Sequence, residues 1–331
     1  MALQIGLTGD VMLGRLVNER QQGRPPAAVW GTLLDRLRSC DGLFINLECC
    51  LSRRGNPWQR TYRPFHFRAD PDWAILALER AGVDGCALAN NHVLDFEVEA
   101  LLDTLDELDA ADIAHAGCGR TLDEALDPAV VTIGDLTIAF VSFTDNVIEY
   151  AADETSPGTA YIEMDATNDT TRNTVQEVLE LTRAESPDLV ITSLHWGPNM
   201  AESPPDSFEQ FGRWLLDEGV DVIHGHSAHV FHGIEVHDGK PILYDTGDFV
   251  DDYAIDNHLR NDRSFLFELS VTGDGRVSEI RLQPTEICDD AVHEASPDAA
   301  AWSRDRMRSL SDAFGTTFER DGEGLVLSLG S

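Results

Sequence analysis

The stretch "VDVIHGHSAHVFHG", Val220 to Gly233, places four of the chain's eleven histidines, His224, His226, His229 and His232, behind a short apolar run. A polar surface loop is one reading. The other is that a buried strand ends here and hands its imidazoles to a metal. The neighbouring sequence decides between them.

Upstream, "LVITSL" runs as a buried strand into His195, and Phe208, Phe211, Trp214 and Leu215 mark a helix ending near Gly219. Earlier still, residues 3–8 (LQIGLT) close on Asp10, 43–47 (LFINL) on Glu48, and 84–89 (DGCALA) on Asn90, Asn91 and His92. Strand, polar end and helix in alternation is the signature of an α/β fold. Val98, Leu101, Leu102, Leu105 and Leu108 recur at helical spacing, as do Val175, Val178, Leu179 and Thr182. "AVVTIGDLTIAFVSFT" predicts a hairpin turning at Gly134-Asp135, and "EYAADETSPGTAY" a surface loop. Beyond 234, strands follow in quick succession and are expected to be antiparallel, with a turn at Gly273 to Gly275. A helix near 297–312 and a strand at about 324–328 close the chain. No repeat or linker interrupts it, so one domain over 1–331 is expected, with the motifs inside about 3–253.

The bulk numbers exclude several function classes. With 24 Lys+Arg against 59 Asp+Glu the net charge is −35. Such a surface repels phosphate backbones and anionic headgroups, so nucleic acid is not an expected partner. The acids are scattered, which fits a folded protein suited to high salt. No 18-residue apolar stretch and no basic-then-apolar leader is present, so direct membrane insertion is not expected and the cytoplasm is the expected compartment. The six cysteines form no CxxC pair and read as reduced, small apolar fillers.

Residues just past the carboxyl ends of strands in an α/β sheet converge on one crevice. Five such ends carry Asp10, Glu48, Asn90 to His92, His195, and the group His224, His226 and His229. Singly, each has a plain reading: a turn, a helix cap, a hydrogen-bonded core histidine. Together they point to one cause. Carboxylate, amide and imidazole donors suit Mn²⁺, Fe²⁺ or Zn²⁺, and so many of them predict two divalent ions. His237 and His258 fall in turn-like sequence and are assigned to solvent. Arg15, Asn90 and Asp248 are candidate substrate contacts, Arg15 for an anionic oxygen or otherwise a surface ion pair.

"GDVMLGR", "NLEC", "ANNHVLDF", "SLHWG", "DVIHGHSAHV", "GIEV" and "KPILYDTGDFVDDY", in order from about Leu7 to Tyr253, resemble the CapA-type poly-γ-glutamate capsule synthesis proteins, which are similar to calcineurin-like metallophosphoesterases. The resemblance implies a β-sandwich flanked by helices, four layers in all, with a dinuclear metal centre at one edge. It implies Asp10 as the first-strand ligand, Glu48 as the bridging carboxylate, Asn91 as the amide ligand and His195 as a further ligand. His92 would protonate a leaving group. Of His224, His226 and His229, two would close the site, His226 first and His229 second. Asp95 either fixes the His92 tautomer or caps the next helix. Met12 stands where such enzymes usually carry a histidine, a poor ligand for a hard cation. The expected function is phosphoesterase-type hydrolysis by a metal-bound hydroxide on a small anionic or poly-γ-glutamate-like substrate. The alternatives are a non-catalytic, metal-containing accessory protein binding poly-γ-glutamate, and a γ-glutamyl amide hydrolase.

Overall fold

The computed structural model describes residues 2–330. Two large sheets face each other. The first has ten strands. Its main path runs from Glu319–Asp321 through Gly324–Ser328, Val277–Cys288 and Arg263–Val271 to Leu3–Val11, Gly42–Leu47, Gly85–Ala87 and Ala114–Ala116. The second has six, in the order Ile234–His237, Lys240–Leu243, Val222–His226, Leu189–His195, Leu136–Thr144 and Ala129–Ile133.

Side-chain alternation sorts each strand's residues into layers. Ile5, Leu7, Phe44, Ile138, Phe140, Ile191 and Val222 join one buried cluster between the sheets, where Phe44 and Phe140 meet at 5.2 Å. Leu43, Ile45 and Leu47 point the other way, to a cluster shared with helices Pro71–Ala81 and Glu97–Ala110. Ala139, Val141 and Phe143 likewise face helices Asp169–Ala184 and Asp206–Asp217. Three apolar layers thus separate helix, sheet, sheet and helix, the four-layer α/β sandwich that the resemblance implied. Burying each such Phe, Ile or Leu contributes about 1.5–3 kcal/mol.

The parallel strands set the site. Leu3–Val11, Gly42–Leu47 and Gly85–Ala87 run together in one sheet, and Leu136–Thr144, Leu189–His195 and Val222–His226 in the other. Register then aligns donors sideways: Asp10 beside Asn46 on one neighbour and Asp248 on the other, and His195 beside His226. Asp10 N donates to Gly247 O at 2.9 Å, and a Cβ on Gly9 would lie 1.8 Å from that oxygen, so only glycine lets the chain return this closely.

The hairpin at Gly134, the helix Pro297–Ser311 and the strand Gly324–Ser328 stand where the sequence put them. The region after 234 does so in part, with Arg263–Val271 and Val277–Cys288 antiparallel across the turn at 273–275. Its first two strands form an antiparallel hairpin, but Lys240–Leu243 runs parallel to Val222–His226, and Asp248–Val250 parallel to Leu3–Val11. The chain changes sheets at Tyr244–Gly247, which local pattern does not encode. The loop expected at 149–161 is exposed only in its middle. Gly158–Thr159 pairs with Cys118–Gly119, and Tyr150 and Ala160 are buried.

Candidate metal centre

At the carboxyl ends of these strands, two sets of donors converge. Asp10, His195 and His226 form one, and Asp10, Glu48, His229 and Asp248 the other; within each set the ligand atoms all lie within 4.8 Å of one another and every residue is buried. Asp10 belongs to both. Glu48, which the resemblance implied as the bridging carboxylate, falls in the second set. Glu48 also reaches across, with Oε1 3.9 Å from Nε2 of both His92 and His195.

Asp10 Oδ1 accepts the Asn46 amide at 2.6 Å, Asn46 Oδ1 accepts Asn90 Nδ2 at 3.1 Å, and Asn90 Oδ1 accepts the backbone N–H groups of His92 and Val93. Asn90 is thus spent bracing the loop and does not line the site as a substrate contact. Asn91 keeps its Oδ1 buried and unpartnered.

The three histidines of the bend separate by their hydrogen bonds. His224 Nε2 donates to Thr8 O at 2.7 Å, so its Nδ1 must accept, from Ser193 Oγ at 3.3 Å. Ser193 Oγ then accepts His226 Nε2–H at 2.7 Å. That leaves His226 Nδ1 as an acceptor, 3.6 Å from Asp10 Oδ1 and taking the His195 Nδ1–H at 2.8 Å. His224, with both nitrogens engaged, leaves the ligand set. His226 and His229 remain.

Asp248 also changes role. Its Oδ1 lies 2.8 Å from His229 Nδ1, which places it inside the donor cluster rather than on the substrate side. Arg15 pairs with Asp252 at 3.4 Å and lies over the Phe65 and Phe67 rings, at the rim. Met12 is fully buried, its Sδ accepting the Gly14 N–H, outside both donor sets.

His92 is held from several sides. Its Nδ1 meets Asp95 Oδ2 at 2.6 Å, and the Phe67 ring stacks on it at 3.9 Å. Asp95 also accepts Phe67 N–H and the Tyr150 hydroxyl, while the helix from Glu97 has Phe96 as its cap residue. Asp95 fixes a ring and caps no helix. The sequence reading missed Asn46, Ser193 and Phe67. Only Asn46, two residues before Glu48 on the same face of its strand, carried a local signal.

Burial pushes the Glu48 and Asp248 carboxyls well up, Glu48 with help from Asp10's charge. It holds His195 down to about 3 and His226 well below the usual imidazole range. Burial also works against a charged His229, but Asp248, Asp10 and Glu48 outweigh it and raise its pKa. The chain alone thus neutralises the site with protons. Asp10 Oδ2, both Glu48 oxygens, Asn91 Oδ1, Asp248 Oδ2 and Asp251 Oδ2 are buried without a hydrogen-bond partner. At about 1–3 kcal/mol each, the sum is on the order of 10 kcal/mol, comparable to a domain's whole stability. Cations coordinated by those oxygens remove that cost, so the donors present fit divalent metal ions.

An αββα sandwich with a buried carboxylate–histidine centre at the strand ends is the class that fold and site define. Within it, the chain belongs to the bacterial capsule synthesis protein family PGA_cap, whose family model matches residues 4–253. It is 32% identical to a probable polyglutamine synthesis accessory protein of Mycobacterium tuberculosis, over 93% of this chain and 91% of that one. It is 26% identical to the PGA biosynthesis protein CapA of Bacillus subtilis, over 89% and 73% of the two chains. The capsule biosynthesis protein CapA of Bacillus anthracis is 25% identical, over 81% and 66%. Among solved structures, TT1561 of Thermus thermophilus overlaps with a TM-score of 0.43 at 9% identity, covering 80% of this chain and 94% of that one. Among the described residues, no helix is long and apolar enough to cross a membrane.

Proposed function

We propose that the chain is a metal-dependent hydrolase of the phosphoester type, acting on an anionic substrate in capsule or poly-γ-glutamate synthesis. The observation that carries this is the set of buried, unpartnered oxygens on Asp10, Glu48, Asn91 and Asp248 beside the His195 and His226 imidazoles. Asp10, His195 and His226 would hold one divalent ion, and Asp10, Glu48, His229 and Asp248 a second, with Asn91 completing a shell. Such ions, when bound, supply Lewis acidity and a water whose pKa falls to about 7.

The chain's own residues do the rest. His92 keeps Nδ1 on Asp95 and turns Nε2 toward Glu48, so Nε2 is the atom that gives a proton to a departing oxygen. Burial lowers the His92 pKa, against the pull of Asp95. An anionic substrate in contact with the ring restores the protonated form. Phe67, stacked on the imidazole, excludes water from that face.

A second reading has its own support: the M. tuberculosis relative is called an accessory protein. In that case the same ions bind poly-γ-glutamate carboxylates without cleavage. Metal-reconstituted protein given a chromogenic phosphodiester separates the two. Turnover that falls in His92→Ala at unchanged metal content supports the hydrolase. Binding of γ-linked glutamate without cleavage supports the accessory role, and shortening of that oligomer makes the substrate bond an amide.

A further inference from the structure

We infer that residues 53–68 form an anion-binding lip on the metal centre, with Arg63 as its central contact and Arg15 beside it. Its ligand class is a phosphate or carboxylate group on the substrate that also reaches the metals, so the assignment rests on the metal-centre reading above. "RRGNPWQRTYRPFHFR" holds five of the chain's 24 Lys+Arg and none of its 59 Asp+Glu. On a chain of net charge −35, an anion approaching anywhere else is repelled; a local cationic stretch reverses that where it matters.

The segment is pinned to the site at both ends. Trp58 N donates to Asp95 O at 2.8 Å and Phe67 N to Asp95 Oδ2 at 2.7 Å. Between them, Arg63 donates to the Asn91 carbonyl and lies over the Tyr150 ring at 5.1 Å. Three of the five arginines are occupied by carboxylates: Arg53 by Asp70 and Asp72, Arg54 by Asp103, Arg60 by Glu97. Arg68 is turned away, donating to the carbonyls of Arg54 and Gly55. Arg63 differs. Its nearest carboxylate, Asp95, is 3.9 Å off and already takes hydrogen bonds from Phe67 and Tyr150, and the Arg63 side chain is 15% exposed. Its charge acts on both His92 and His195. Most of its five N–H donors stay available for a planar or tetrahedral anion. Arg15 reaches the same rim from another element, 5.1 Å over the ring of Phe65, but Asp252 at 3.4 Å already pairs with it, so it is the secondary contact.

Charge counting gives the lip its purpose. Two dications would only balance Asp10, Glu48, Asp248 and Asp251. Asp95 beside His92 is a fifth carboxylate, and Arg63, 3.9 Å from it, offsets that charge, so an anion reaching the metals meets no net negative charge.

The test is calorimetric titration of Mn²⁺-loaded protein with inorganic phosphate and, separately, with a γ-linked glutamate trimer. R63Q should weaken the preferred anion about tenfold or more at unchanged metal content and melting temperature. R63K, which keeps the charge and loses the planar fork, should fall between. Unchanged affinity in either variant, folded and fully loaded, overturns the inference, as does a wild type that binds neither probe. Anion binding that depends on Arg63 without turnover of any phosphodiester leaves the lip standing and removes the hydrolase.

Discussion

At the N-terminal ends of the parallel strands, Asp41, Asp84, Asp188 and Asp221 each stand one residue ahead of a strand. Each accepts a backbone N–H from the strand beside it, those of Gln4, Leu43, Thr137 and Val190, at 2.8 to 3.0 Å. At the C-terminal ends, Asp10, Glu48 and Asp248 are more deeply buried and leave four oxygens with no partner. One residue type thus does two jobs. Where amides surround it, a carboxylate staples strands; where none do, it needs a cation. A cleft of about 770 Å³ lies at the stapled end, lined by Asp188, Asp221 and Lys240. There the acids already have partners, so cleft size alone would point to the wrong end of the sandwich.

Exchanging single atoms at the two ends tests this contrast. The largest effect is expected of Glu48→Gln, which should empty its metal position in elemental analysis. In metal-free protein the same change should raise stability, by about 1–3 kcal/mol in chemical denaturation, because the carboxyl that burial and Asp10 push above its ordinary pKa is replaced by an amide with no charge to bury. A metal-free variant less stable than wild type would break the contrast.

His232 offers a third case, a bend histidine outside both donor sets, its Nε2 held by the Ala201 carbonyl. Burial holds its pKa down to about 4. The folded value lies below the unfolded value of about 6.5, so its contribution is complete above pH 6.5 and is lost as pH falls toward 4. The loss approaches about 3 kcal/mol. His232→Gln should flatten that part of the acid limb, and an identical limb would show that the ring does not titrate as described.

Ser193→Ala cuts the relay from His224 to His226 and should weaken Co²⁺ binding about 10–100-fold, with an altered visible spectrum. Last, Asp221→Asn at the stapled end should cost about 1 kcal/mol through its Lys240 ion pair and the Val190 N–H bond, leaving metal content untouched. Loss of metal in that variant would erase the distinction between the ends.

The apolar runs ending on Asp10, Glu48, Asn91, His195 and His226 were legible because strand and helix periods are local. So were the turn at Gly134 and the terminal helix. His224 and His226 were not separable that way, since residues two apart on a strand share a face. Depth separates them: the His224 ring lies 5.4 Å from that of His226, against Thr8 O. Asp248 joined the cluster only because its strand returns beside Leu3–Val11. Arg63 left a trace in the acid-free arginine run, but nothing local showed which arginine reaches the site.

The order of residues by itself determined which side chains end the strands and what chemistry they offer, because alternation and donor type are properties of short segments. Only the tertiary structure decided which of them meet. Sheet pairing, register and the crossing at Gly247 set distances between residues some two hundred positions apart, and a ligand differs from a core histidine by those distances alone.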